Sequence, residues 1–154
     1  MSVQRLSHIG ICVSDLERSV RFYRDTLGFE ELSRLDVRGE DSERLLDIEG
    51  GELQAVYLQR DGTRIELLFY PVAGHEPIQN PQPMNRLGFT HLSLRVADLA
   101  SVVEAVESVG GSSLSHTLIN KPEWGTRAIF VTDPDGLRIE LLETPGDPSV
   151  LPGG

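Results

Sequence analysis

Several features that would each point elsewhere are scarce in this 154-residue chain. It has one cysteine, Cys12, so no disulfide can form within it. No apolar run approaches the roughly 18 residues needed to span a bilayer, and no membrane partner is expected. Lysine occurs once, at Lys121, and the arginines are scattered rather than clustered. With a formal charge of −10 and a pI near 4.8, the chain lacks the basic patch that nucleic acid or an anionic membrane requires. Polar Ser2, Gln4 and Arg5 replace the apolar stretch of a secretory signal, so the expected compartment is the cytoplasm. A chain this long buries roughly 68–70% of its unfolded surface and needs neither disulfide nor metal merely to fold. Residues 1–145 are expected to form a single domain, and the Pro/Gly-rich stretch 146–154 a flexible tail.

Repetition is what the sequence has in abundance. DGTRIELLFYP, from Asp61 to Pro71, returns 74 residues later as DGLRIELLETP, from Asp135 to Pro145, with eight of eleven positions identical. HIGICVSDL, from His8, comes back 83 residues on as HLSLRVADL, from His91. Each half therefore owns one histidine and one glutamate at matching places: His8 and Glu66, then His91 and Glu140. Internal repeats fix architecture before any single residue does, and imidazole and carboxylate are also the side chains that bind divalent metals.

The halves have the same order of elements. Leu6 to Val13 alternates as a half-buried strand does. Ser14, with Glu17 three residues on, forms a capping-box signature. The helix that follows places Leu16, Val20, Tyr23 and Leu27 on one face and closes at Gly28. Strands are expected over Glu30 to Val37, Leu53 to Gln59 and Arg64 to Tyr70, the last two joined by an Asp61-Gly62 hairpin turn. The charged stretch from Asp36 to Glu49 reads as a solvated loop rather than a lid. The second half gives a strand from His91 to Val96 and a helix from Asp98 to Val109. Further strands follow near Ser112 to Leu118, Arg127 to Thr132 and Leu137 to Glu143. The fold class is α+β, with βαβββ modules at about 5–72 and 89–145. The linker, 71–88, holds four prolines that exclude regular structure.

Strand parity turns this outline into a candidate site. Successive side chains alternate faces, so His8, Gly10 and Cys12 share one side while Ile9, Ile11 and Val13 take the helix side. The same alternation sets His91, Ser93 and Arg95 apart from Leu92, Leu94 and Val96, and sets Glu66, Leu68 and Tyr70 apart from Ile65, Leu67 and Phe69. Glu140 and Leu142 stand opposite Ile139 and Leu141. All four candidate ligands fall on the face away from the helices. Two curved mixed sheets meeting on that face would form an open, barrel-like metal cleft.

The paired modules and the motifs HIGICVSDL…FYRDTLGF, RIELL, HLSLRVADL and DPDGLRIELLE resemble the vicinal oxygen chelate superfamily, the glyoxalase/bleomycin-resistance/extradiol-dioxygenase fold, over nearly all of 6–144. Within it, His8, Glu66, His91 and Glu140 resemble the metal-ligand set of bacterial glyoxalase I. Methylmalonyl-CoA epimerase has Gln at the place of Glu66. Extradiol dioxygenases and fosfomycin-resistance thiol transferases bind metal with two His and one Glu, and antibiotic-binding members usually lack the set. The resemblance implies a divalent-metal lyase or isomerase acting on a small carbonyl compound or thiol adduct, and a homodimer. Glu140 is its first choice of base and Glu66 its second. Epimerase, dioxygenase and small-molecule-binding readings stay open.

The chemistry is consistent with that implication. Two imidazoles and two carboxylates suit one Ni, Zn, Co, Mn or Fe ion per site, and leave positions for vicinal substrate oxygens. A Lewis acid there stabilises the enediolate formed when the adjacent proton leaves. For substrate binding, Tyr70 shares the parity of Glu66. Arg95, Lys121 and Arg127 are the basic candidates, and Trp124 is a pocket or rim residue. His75 and His116 have no repeat mates and are expected at the surface. Cys12 points inward by parity and is expected to be a buried, inert thiol.

Overall fold

A computed structural model describes residues 2–78 and 82–151; linker positions 79–81 and tail positions 152–154 lie outside the described residues. The chain divides into two compact units, Met1–Pro77 and Ile78–Gly154, with the boundary inside the expected linker. The described linker residues contain no helix or strand.

The first unit is a four-stranded mixed sheet in the order β1-β4-β3-β2. Its strands are β1 (Ile9–Cys12), β2 (Glu30–Val37), β3 (Leu53–Arg60) and β4 (Thr63–Phe69). β1 runs parallel to β4, while β2 with β3 and β3 with β4 are antiparallel. Asp61 and Gly62, at φ 50° and 78°, make the tight turn expected of an Asp-Gly hairpin. Helix α1 (Leu16–Arg21) is capped by Asp15, whose side chain accepts from the Arg18 amide, so the cap falls one residue later than the expected Ser14. The helix then widens into a π-helical turn, Phe22–Thr26. That wider turn lets the adjacent Phe22 and Tyr23 both enter the core, along with Val20 and Leu27, where a plain 3.6-residue face would take one of them. The helix-facing side of the sheet supplies Val56, Leu58, Ile65 and Leu67, paired across β3 and β4 and fully buried.

The Asp36–Glu49 stretch differs from the expected loop. It holds a short helix, α2 (Glu40–Leu46), with no buried residue. Glu40, Asp41 and Glu43 in its first turn suit a helix N-terminus, which is why a charge-rich run is helical here.

The second unit repeats the plan with β5 (Leu92–Arg95), β6 (Ser112–Ser113), β7 (Ile119–Lys121), β8 (Thr126–Thr132) and β9 (Arg138–Glu143). The sheet order is β5-β9-β8-β6, and β7 also pairs with β8. Helix α3 (Leu99–Ser108) is capped by Asp98, which accepts from the Ala100 and Ser101 amides. The strand expected near Ser112 to Leu118 breaks after Ser113, and a single 3-10 turn covers Ser115–Thr117. Thr117 is the reason: its hydroxyl accepts from the Phe130 amide and donates to the Leu114 carbonyl, replacing backbone sheet bonds with side-chain ones. Before β9, the Asp133 carboxylate accepts from the Asp135 and Leu137 amides and shapes the DPDG turn. Arg95 donates to the carbonyls of Thr144, Pro145 and Val150, tying the tail's first residues to β5. No helix among the described residues is long and apolar enough to cross a membrane.

Candidate functional site

In the first unit, β1 and β4 place the pair. The parallel register sets Gly10 beside Glu66, so His8, two residues earlier on the same face, reaches the glutamate. His8 Nε2 lies 3.0 Å from Glu66 Oε2, with the histidine side chain one-third exposed and Glu66 nearly buried. The other ring nitrogen, Nδ1, is 3.0 Å from the Ser7 hydroxyl. A hydroxyl donates or accepts, so it holds the ring whether Nε2 carries the proton or offers its lone pair. Tyr57, the β3 partner of Glu66, packs edge-on against the His8 ring with centroids 5.3 Å apart. Its hydroxyl bonds the Glu66 carboxylate, and this bond, followed by burial, pushes the phenol up to about 12 and keeps it a donor.

The second unit builds the same pair with different support. Ser93 stands beside Glu140 in the β5–β9 register, and His91 Nε2 lies 3.9 Å from Glu140 Oε2. His91 Nδ1 is 2.8 Å from the Thr90 hydroxyl, the counterpart of Ser7. Phe130 occupies the place of Tyr57, edge-on to His91 at 5.2 Å, and has no hydroxyl to offer. Ser93 Oγ does that work, donating to Glu140 Oε2 at 2.6 Å. Within each unit, the described residues bring ligand-type side chains together as a pair and no larger group.

The donor chemistry of both pairs, and the spacing of the first, fit a divalent ion. Two donors about 2.1 Å from one ion and subtending a right angle lie about 3 Å apart, which is the His8–Glu66 separation. A ring anchored through Nδ1 so that Nε2 faces the carboxylate is the arrangement that orients metal-binding histidines.

The other candidates are placed unequally. Tyr70 follows β4, and burial, then nearby Cys12 and Glu66, push its phenol up. Arg95 has the parity of His91, but its guanidinium is engaged by tail carbonyls. Arg127 shares the face of buried Ile129 and Val131, away from Phe130 and Glu140. It lies 3.8 Å from Glu143, which accepts from the Leu99 amide at the start of α3. Trp124 ends a 3-10 turn and is 68% exposed. Lys121, His75 and His116 are exposed. Cys12 is exposed on its face, where a buried thiol was expected.

Sequence reasoning missed Tyr57, Ser7 and Thr90, and it missed Arg64. Parity with Glu66 marks Arg64, and a hydroxyl before each repeated histidine marks Ser7 and Thr90. Nothing local in the sequence marks Tyr57, because its role depends on the β3–β4 register.

The description of the glyoxalase/bleomycin resistance protein/dioxygenase superfamily matches residues 5–141. The chain belongs to that superfamily. It is 29% identical over 147 residues to a 2-epi-5-epi-valiolone epimerase of Actinomyces sp., covering 90% of this chain and 78% of that one. It is 30% identical to a probable lactoylglutathione lyase of Synechocystis sp. over 90% of this chain and 95% of the relative. Among solved structures, a glyoxalase family protein of Bacillus cereus superposes with a TM-score of 0.79 at 20% identity, covering 95% and 97% of the two chains. The fosfomycin resistance protein FosX of Listeria monocytogenes, crystallised with Mn(II) and sulfate, shares the superfamily fold at a TM-score of 0.58 and 18% identity, covering 93% and 94%.

Proposed function

We propose that this protein is a divalent-metal-dependent lyase/isomerase of glyoxalase type, which removes and returns a proton next to the carbonyl of a small substrate. His8, Glu66, His91 and Glu140 hold one ion, a pair from each module, with the modules drawn from one chain or from two copies in a homodimer. What carries the reading is the recurrence in each unit of a histidine Nε2 turned to a glutamate, with Nδ1 held by the preceding hydroxyl. The lactoylglutathione lyase relative supports the reaction class, and the Mn(II)-bound FosX crystal supports a metal.

Bound there, a divalent ion supplies a Lewis acid to neighbouring substrate oxygens. The chain supplies the proton traffic. Glu140 is the base: Ser93 engages its Oε2, leaving Oε1 to take the substrate proton, and its side chain is more exposed than that of Glu66, 33% against 10%. Glu140, once protonated, returns the same proton at the neighbouring carbon, while Glu66, bonded by Tyr57 and beside His8, is the more tightly held carboxylate and the second choice for that role.

A second reading, epimerisation at a single carbon, is favoured by the valiolone epimerase relative. It uses the same two carboxylates. Metal analysis of the untreated protein is expected to find one divalent ion per chain. A panel of hemithioacetals of several thiols, methylmalonyl-CoA, 2-epi-5-epi-valiolone and a catechol then separates the reactions. Turnover of a hemithioacetal supports the lyase, turnover of either epimerase substrate supports the second reading, and turnover of the catechol alone overturns both.

A further inference from the structure

The first unit contains an open hollow of about 320 Å3 beside His8, lined by Ser7, His8, Leu32, Ser33, Tyr57 and Arg64. Its shape follows from the sheet. The β2–β3 register shifts between Glu31 and Ser33, so Leu32 is the extra residue of a bulge, and Ser33 is left opposite Tyr57. Arg64 stands on β4 two residues before Glu66 and therefore on the same face. Gln59, its partner across β3, accepts from Arg64 Nε at 3.1 Å and fixes the plane of the guanidinium.

That guanidinium differs from those that are paired with a carboxylate. Arg24, Arg34, Arg38, Arg44 and Arg127 each lie within salt-bridge distance of a carboxylate. Among the described residues, Arg64 has only the neutral Gln59 amide. Its repeat mate Arg138 is arranged otherwise: Thr132 takes the place of Gln59, and the guanidinium carbon sits 5.9 Å from the centre of the Phe130 ring. The cavity beside Arg138 is about 50 Å3. A half-buried cation with two terminal nitrogens uncommitted, aimed by an amide into a hollow, is what a planar oxyanion recognises through paired hydrogen bonds. In a chain of net charge −10, such a local cation also offsets the repulsion that an anionic substrate meets.

We infer that Arg64, oriented by Gln59 into the hollow beside His8, is the recognition group for an oxyanion, a carboxylate or a phosphate, carried by the substrate. The inference rests on the proposed function, in that the hollow adjoins the reacting centre because His8 and Glu66 belong to it. The substrate class is thereby narrowed to small carbonyl compounds with an anionic arm.

The test is a titration of the full-length, isotopically labelled protein with inorganic phosphate and, separately, with acetate, following the Nε–H resonance of Arg64 and the side-chain amide of Gln59. The expected result is a saturable shift of both signals with at least one anion, and the tighter of the two identifies the arm. Arg64→Met is expected to weaken binding about 10- to 100-fold, the usual cost of a lost charged hydrogen bond. Arg138→Met is expected to leave it unchanged. Should Arg64→Met not fold, Arg64→Lys keeps the charge without the fork, and is expected to bind at least about tenfold more weakly than wild type. No saturable shift at Arg64 with either anion, or an undiminished Gln59 response in the Arg64 variants, overturns the inference. Metal content measured on the same samples keeps the two proposals apart. Anion binding without metal sinks the function and spares Arg64, whereas metal without anion binding does the reverse.

Discussion

The two modules keep the same histidine and glutamate and support them differently. In the first, the hydroxyl on the carboxylate comes from Tyr57 on β3, and β1 offers only Gly10 at the register partner of Glu66. In the second, β8 offers Phe130 and the hydroxyl comes from Ser93 on β5. A Cβ at Gly10 would come 3.0 Å from the Leu68 side chain, so the first module has less room for the second module's solution. The difference teaches that what the repeat preserves is a pair of ligand types, each with one neutral donor on the carboxylate and one hydroxyl on Nδ1. The donor's source is free to change. The looser pair, at 3.9 Å against 3.0 Å, is the one that contains the proposed base.

Exchanging the glutamates one at a time gives the sharpest contrast. Glu140→Gln is expected to lower turnover about 10²- to 10⁴-fold with the fold intact by circular dichroism. A greater loss from Glu66→Gln would reverse the roles of the two carboxylates. The shared core is the part on which the modules should agree. Leu67 and Leu141 are repeat mates with no exposed surface, and alanine at either is expected to cost about 2–5 kcal/mol in denaturant unfolding. Unequal costs would show that one module carries more of the stability. The supporting hydroxyls come next. Tyr57→Phe and Ser93→Gly are each expected to weaken metal binding about 10- to 100-fold, and Phe130→Tyr added to Ser93→Gly is expected to recover part of the loss. Failure of that rescue would mean that the donors are not interchangeable. The smallest effect is at the cap of α1: Asp15→Ala is expected to cost about 1 kcal/mol in denaturant unfolding.

The repeat made the element order, and the sharing of one strand face by the histidine and glutamate of each half, legible before any coordinates, because alternation along a strand is a purely local rule. Elements decided by tertiary contacts were not legible. The π-helical turn exists to bury Phe22 beside Tyr23, and the break after Ser113 depends on a Thr117 hydroxyl reaching across to Phe130. Arg127 was drawn in by its charge and its place before a strand, yet parity with Ile129 already set it on the helix side. Tyr57 was out of reach, since its contact with Glu66 depends on how two strands align. Arg64 was within reach of the same parity that marked Glu66.

The most direct test of the central claim is an equilibrium metal titration of wild type beside His8→Ala and His91→Ala. If the two pairs share an ion, wild type binds one per chain, and either substitution alone abolishes tight binding. Two ions per chain, or full binding retained by either variant, would contradict the account.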